Sequence, residues 1–527
     1  MSVVLSEHLP LLASAPDGIQ KLRGLILDLA VRGKLVSQDP ASDPEFTTLG
    51  AIGRWAVGSG FPKSEQGIKG EEILFAKVSD MNLPENGRFI TTTNNTISRA
   101  SAARLRVNVH PAGTVIFPKI GGAIATNKRR LLIHDTAIDN NCLGLTPHSD
   151  VVPDWLFVLL ASIDFTKYQA GTSIPALAQG VLAEIPVRVP SIVEQHRIVA
   201  KVDELMALCD RLEAEQTDAN AAHAQLVDTL LGTLTQSADA TELAANWQRL
   251  ASHFDTLFTT EAAIDALKQT VLQLAVMGKL VPQDPKDEPA SALFDRIEKE
   301  RVRLVAEGRI KQSKPVPPVA ECKRPFREPD GWIWTRWVEV AQKIGDIDHK
   351  MPETVEDGIP YVSPRDFYPD NRIDFAGAKK VSRDDFVKLS AKIRPELGDI
   401  IYPRYGTIGE NRLVVDDIEF LASYSCCVIK TMIGFVSEKY QFYFSISQVC
   451  RDQARAAENK TTQANVGIKS IQLFAFPLPP LAEQHRIVAK VDELMALCDR
   501  LKADLSESRE QEARLATSLI DAALMAA

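Results

Sequence analysis

The chain has 527 residues, 45% of them hydrophobic and 24% charged, which is the composition of a soluble globular protein with material for more than one core. At about 150 residues per domain, roughly three or four domains are expected. No apolar run approaches the ~20 residues that span a bilayer, the first residues lack the basic and long apolar regions of a secretory signal, and seven cysteines without a C-x-x-C pair fit a reduced, cytoplasmic protein. A net charge of −9 excludes a chain coated in basic charge for non-specific DNA binding.

Taken in order, the chain opens over 1–40 with a helical segment whose apolar face is Ile19, Leu22, Ile26 and Leu29. Gly33 sits where a helix ends in a left-handed residue, within LAVRGKLVSQDP, which runs from Leu29 to Pro40. A globular region follows over 41–190. Its short apolar runs at 72–78, 114–118, 131–134, 143–145 and 184–189, broken by Gly, Pro and Asn, predict strands. The run 155–163 predicts a buried helix. From Ser101 to His134 the Arg and Lys residues (Arg104, Arg106, Lys119, Lys128, Arg129, Arg130) have no Asp or Glu among them, either a local basic surface or an ordinary solvated face.

A helical region is expected over 191–285. Ser191 stands three residues before Glu194, the spacing of a capping box. Ile198, Val202, Leu205, Cys209 and Leu212 then fall at alternating steps of four and three, the stripe of a helix that packs on another helix. Helical pattern continues through Leu226, Leu230 and Leu234 to a second apolar face at Ile264, Leu267, Val271 and Leu274. There LAVMGKLVPQDP, from Leu274 to Pro285, repeats the earlier segment with Gly278 in place of Gly33. A second globular region occupies 286–482. It is longer than the first, and the surplus falls near 291–330, with a charged helix at 293–307 and a Pro-rich basic stretch that either wraps DNA or, the reading slightly favoured, is a tether. The last segment, 483–527, again begins with a helix, whose stripe is Ile487, Val491, Leu494, Cys498 and Leu501. EQHRIVAKVDELMALCDRL runs from Glu194 to Leu212 and, letter for letter, from Glu483 to Leu501.

The chain is therefore a duplication. Its globular heads are related but diverged: Val115-Ile116-Phe117-Pro118-Lys119-Ile120-Gly121 resembles Ile400-Ile401-Tyr402-Pro403-Arg404-Tyr405-Gly406. Unchanged helices beside diverged heads suggest one partner met twice and two different targets. Signatures of catalysis are missing. There is no phosphate loop, no H-E-x-x-H and no Asn-Pro-Pro-aromatic tetrapeptide. His196 and His485, in the first turn of each repeated helix, lack a second ligand at helical spacing and read as structural; no metal site is expected. What remains is a binding protein with two reading heads. DNA recognition needs phosphate contacts that position and side chains that reach base edges. The candidate residues are Lys77, Ser79, Lys119, Gly121, Gly122, Asn127, Lys128, Arg129, Arg130, Thr172 and Ser173 in the first head. In the second they are Ser363, Arg365, Arg404, Tyr405, Gly406, Asn411, Arg412, Lys460, Thr461, Thr462 and Gln463.

The order of head, EQHRIVAKVDELMALCDRL helix, second head and second such helix, with the paired L-A-V-x-G-K-L-V-x-Q-D-P segments, resembles the specificity subunit of type I restriction–modification systems over essentially the whole chain. The resemblance implies an α+β fold with an internal pseudo-twofold repeat, two mixed target recognition domains separated by long antiparallel, coiled-coil-like helices. It implies a non-catalytic subunit that binds double-stranded DNA, each head reading one half of a bipartite target. It also implies that the helices act as a spacer and dock two modification subunits, which methylate adenine, with restriction subunits joining that core. No cofactor is expected on this chain; S-adenosylmethionine would sit on the modification subunit and ATP with Mg on the restriction subunit. Half-sites about one helical turn apart, ~34 Å, would suit two heads on one face of the duplex. A stand-alone two-headed DNA-binding regulator and a coiled-coil scaffold that never meets DNA are the alternatives.

Overall fold

A computed structural model describes residues 12–37, 44–171, 174–312, 314–348, 351–459 and 465–526. It divides into two compact units, one formed by the described residues up to Asn220 together with those from Glu507 on, the other by Ala221–Ser506. Both are mixed α+β. In the first, a five-stranded sheet has the order Gly53–Val57, Cys142–Pro147, Val115–Pro118, Arg130–Leu132, Phe89–Ile90, and a four-stranded sheet the order Asn95–Ile97, Ile73–Ala76, Thr136–Ile138, Val109–His110. The second unit has a four-stranded sheet, Ala341–Gly345, Cys426–Thr431, Ile400–Pro403, Arg412–Leu413, and a three-stranded one, Lys379–Val381, Ile359–Val362, Leu421–Ala422. The registers repeat as well. Cys142 faces Pro118 as Cys426 faces Pro403, and Ile116 faces Arg130 as Ile401 faces Arg412. The duplication seen in the letters is thus a duplication of sheets.

The predicted strands and the 155–163 helix are present as Ile73–Ala76, Val115–Pro118, Arg130–Leu132, Cys142–Pro147, Pro186–Val189 and the helix Pro153–Ser162. Gly33 and Gly278 adopt φ of 70° and 68°. In each, the following lysine N–H reaches back to a leucine carbonyl (Lys34 to Leu29, 2.9 Å; Lys279 to Leu274, 2.8 Å), closing the left-handed helix stop that glycine permits.

Two long helices, Ile192–Gln236 and Leu481–Ala526, follow the heads. Their stripes are buried: Ile198, Val202, Leu205 and Cys209 enter the core of the first unit, and Ile487, Val491 and Cys498 that of the second. Leu212, Leu494 and Leu501 lie partly buried against the same cores. The division between units falls inside both helices. The first core therefore also takes Ala516 and Ala523, and the second takes Val227, Leu231 and Leu234. The units consequently do not break at 40, 190, 285 or 482 as the sequence suggested; amphipathic helices that lack a self-contained core are absorbed into the head each stripe faces. The surplus segment is not a tether either. Its helix, Ala290–Ala306, buries Leu293 and Ile297 completely, and the Pro-rich stretch is held by Arg336, which donates to the Pro317 and Pro318 carbonyls.

The capping box at Ser191 is half formed. Its hydroxyl accepts from Glu194 N–H (3.3 Å), but the Glu194 carboxylate turns to Arg188 (2.9 Å) instead of back to Ser191. The next residue, Gln195, is fully buried. Its side-chain oxygen accepts from Val152 N–H (2.7 Å), at the start of the helix Pro153–Ser162, and its amide donates to Asp150 and Pro190 carbonyls (2.9 Å each). Gln484 does the same for Ser437, which caps the helix Glu438–Ile446, and for Pro479. Glu483 is held by Trp332 Nε1 (2.9 Å) and Gln283 (3.1 Å). Gln195→Ala, which orphans a buried N–H and two carbonyls, should destabilise the first unit by about 2–3 kcal/mol, read as a shift of one denaturant transition while the other stays in place; two unshifted transitions would show that the glutamine carries no fastening role.

Candidate nucleic-acid interface

The strand Val115–Pro118 delivers Lys119 to a turn of 3-10 helix, Gly121–Thr126. Gly121 has φ +74°, its N–H donates to the Pro175 carbonyl (2.7 Å), and a Cβ placed on Gly121 or Gly122 would meet nothing within 4 Å. The backbone here is open to close approach. Lys119 is half-buried, and its ammonium has no partner among the described residues. In the second head Tyr405 is half-buried and bridged to Asn465, while Gly406, φ +73°, is equally open.

The other cations of these loops are not free. Arg129 is 3% exposed. Its guanidinium lies 3.9 Å from the centroid of Phe165 and donates to the Leu160 and Ile163 carbonyls and to Asn127 Oδ1; burial pulls its pKa down to about 9. Arg130 donates to the Asn86, Arg129 and Met81 carbonyls, and burial lowers its pKa too. Asn127 donates to the Ala161 carbonyl and Lys128 to Asn82 Oδ1. Arg404 is 4% exposed, paired with Asp346 (2.9 Å) and donating to the Tyr424 carbonyl (2.8 Å). Asn411 donates to Ser445, and Arg412 to Glu410, Asn411 and Tyr368 carbonyls. Arg129, Arg130, Arg404, Asn411 and Arg412 are therefore corrected from DNA contacts to internal braces. The loops they cross have backbone carbonyls with no ladder partner, and a guanidinium satisfies several at once.

Two further turns lie at the ends of equivalent strands. After Ile73–Ala76, Asp80 is fully buried and accepts from Lys77 N–H, Asn94 N–H and Asn94 Nδ2. This leaves Ser79 exposed and Lys77 bonded to Gln66 over the ring of Phe61. After Ile359–Val362, Asp366 accepts from Ser363 N–H and Oγ, and Arg365 is exposed. Sequence reading passed over Asp80 and Asp366; the aspartate three residues beyond Lys77 and Ser363 was the signal. Thr172, Ser173, Lys460, Thr461, Thr462 and Gln463 lie outside the described residues. They follow the short strands Gln169–Ala170 and Glu458–Asn459. Among the described residues, the candidates left at the surface are Ser79, Lys119, Gly121, Gly122 and Asn127 in the first head and Arg365, Tyr405 and Gly406 in the second. Among the described residues no group of His, Cys, Asp and Glu could hold a metal ion, His196 and His485 are exposed, and no helix is long and apolar enough to cross a membrane.

Comparison with known proteins matches the family model "Type I restriction modification DNA specificity domain" to residues 62–219 and again to 335–510. The specificity subunit of the type I restriction enzyme EcoAI of Escherichia coli is 31% identical over 96% of this chain and 94% of its own. That of EcoEI, also from Escherichia coli, is 32% identical over the same shares. A crystal structure of the HsdS subunit from Thermoanaerobacter tengcongensis aligns with 93% of this chain and 98% of its own at 17% identity, with a TM-score of 0.41.

The burial of the arginines separates two outcomes. Arg404→Met, which removes the guanidinium 2.9 Å from buried Asp346 and leaves Lys392 at 3.4 Å as its cation, should cost about 1–3 kcal/mol of stability. Lys119→Glu should stay within about 0.5 kcal/mol yet weaken binding to DNA. Thermal unfolding and a DNA-binding titration on both variants check this, and an unaltered melting point for Arg404→Met would return that residue to the reading surface.

Proposed function

The chain belongs to the DNA specificity subunits of type I restriction–modification systems, and we propose that it selects a bipartite target, each head reading one half, for two modification subunits docked on its repeated helices. In this reading the chain performs no catalysis itself. S-adenosylmethionine belongs to the modification subunits, which methylate adenine, and ATP with Mg to restriction subunits that join the complex.

One observation carries the docking. The buried part of the repeat, Glu194-Gln195 and Glu483-Gln484, is accounted for by contacts within each unit. The exposed part is not. His196, Ala200, Glu204, Ala207 and Arg211 form an exposed stripe on the first helix, and His485, Ala489, Glu493, Ala496 and Arg500 form the same stripe on the second. Neither core uses them. Two identical outward faces suit two copies of one partner, and the central alanines allow a partner helix to approach closely. The heads meanwhile keep equivalent scaffolds with different side chains at the loop, Lys119 half-buried and unpaired where Arg404 is buried on Asp346, as two half-targets require.

Adenine methylation mapped across a host genome, with and without this chain beside its modification partner, tests the reading. A new bipartite motif with a fixed gap is expected, and exchanging residues 44–190 should alter one half of it only. Ala200→Asp with Ala489→Asp should abolish the motif and the retention of the modification subunit while leaving the melting temperature in place. Methylation that does not depend on this chain would overturn the proposal.

A further inference from the structure

The four-stranded sheet of the first head, the helix Arg99–Leu105 beside it and the strand Gly53–Val57 line an open cavity of about 600 Å³ whose lining includes Arg54, Arg99, Arg106, His110 and Asp135. The helix is capped by Ser98, and Arg106 follows it in a left-handed conformation, φ 53°. The guanidinium groups of Arg54, Arg99 and Arg106 make no hydrogen bond or ion pair among the described residues, and neither does the Asp135 carboxylate. His110 Nε2 lies 3.1 Å from the Val57 carbonyl; burial and the neighbouring Arg54 lower its pKa.

The second head supplies an internal reference. Ile73 faces Ile97 as Ile359 faces Val381, and Phe75 faces Ala137 as Tyr361 faces Leu421, which makes Asp135 and Glu419 equivalent. Trp55 faces Leu145 as Ile344 faces Ile429, each three residues beyond the matched cysteine, so Arg54 corresponds to Lys343. The helix Arg383–Ser390 likewise follows a serine cap. Here the cations are answered. Arg383 pairs with Glu419 (2.6 Å), Arg394 with Glu396 (3.0 Å) and Glu419 (3.6 Å), Lys392 with Asp346 and Asp348 (3.4 Å each), and Lys343 donates to the Lys392 carbonyl. The same scaffold is therefore built with its charges neutralised, and the three unpaired guanidiniums of the first head are not a requirement of the fold. Several forked donors converging on one open cavity match the oxygens of a phosphate.

We propose that this cavity holds a backbone phosphate of the DNA, outside the bases met by the loops, and so positions the first head on the duplex. It lies at the Ile73 end of the strand whose other end leads to Lys77 and Ser79, about 13 Å away, which places it beside the reading turn and not within it. The proposal rests on the reading of the chain as a DNA specificity subunit.

The test uses the complex with the modification subunit and compares Arg54→Gln/Arg99→Gln/Arg106→Gln with the unaltered chain on a duplex carrying the methylated motif and on a scrambled one. The slope of log affinity against log salt should become shallower by about 0.9 for each phosphate no longer neutralised, affinity at low salt should fall several-fold, and the preference for the motif should persist. Arg383→Gln, whose cation is already paired, should leave the slope unchanged. An unchanged slope in the triple variant overturns the assignment, as does lost retention of the modification subunit, which would mark an acidic protein surface as the ligand. Inorganic phosphate that shifts the His110 resonances while the DNA slope is unaltered would make this a site for a free anion, and overturns it as well. An unaltered complex with no preference for the motif would instead refute the specificity reading itself.

Discussion

The buried Glu-Gln pair at the start of each long helix is the constraint on which the units depend. Gln195 and Gln484 each accept from the first N–H of another helix and donate to the proline carbonyl that precedes their own. A helix N-terminus buried without such partners leaves orphan donors, so one glutamine sets both the angle at which the long helix leaves the head and the position of the helix under the sheet. The glutamates alongside solve the same problem with different means. Arg188 meets Glu194, whereas Trp332 and Gln283 meet Glu483. In each unit one of those partners lies against the glycine of the repeated L-A-V-x-G-K-L-V segment, where a Cβ would stand 2.5 Å from Arg188 or 2.9 Å from Trp332. The two repeated motifs, far apart in the chain, are two sides of one joint.

With the joint fixed, the heads diverge where divergence is harmless to folding. Arg130 and Arg412 occupy equivalent ladder positions, and each crosses its head to a backbone carbonyl, Met81 or Tyr368. Arg129 and Asn411, one residue earlier, each brace the carbonyl of a neighbouring helix, Leu160 or Ser445. Lys119 and Arg404 differ in kind: the former stays half-buried and unpaired, and the latter is drawn into a buried ion pair with Asp346. The same loop position is a surface group in one head and a structural one in the other.

That contrast marks what the sequence carried. Periodicity exposed the long helices and the glycine stops, because a heptad stripe and a left-handed C-terminal residue are local signals. Alternation and turn residues exposed most strands, but of the four-stranded sheet of the first head only Ile73–Ala76; Asn95–Ile97, Thr136–Ile138 and Val109–His110 are too short to show a period. The basic run between Ser101 and His134 read as one surface. In the fold its arginines are divided between braces, Arg129 and Arg130, an exposed ion pair, Arg104 with Glu65, and a cavity, Arg106. Residue type alone does not distinguish a guanidinium bonded to carbonyls from one left open, since that depends on chain segments many residues away.

The division of both long helices between the units has a further consequence for synthesis. The first core includes Ala516 and Ala523, with Lys21 bonded to the Thr517 hydroxyl. A ribosome that has finished the first head has therefore not yet made all the residues which close its core. The N-terminal half must wait through some three hundred further residues with an apolar groove uncovered, the kind of transient exposure that draws chaperones or aggregation. A chain truncated near its end would carry its lesion in the half that was translated first.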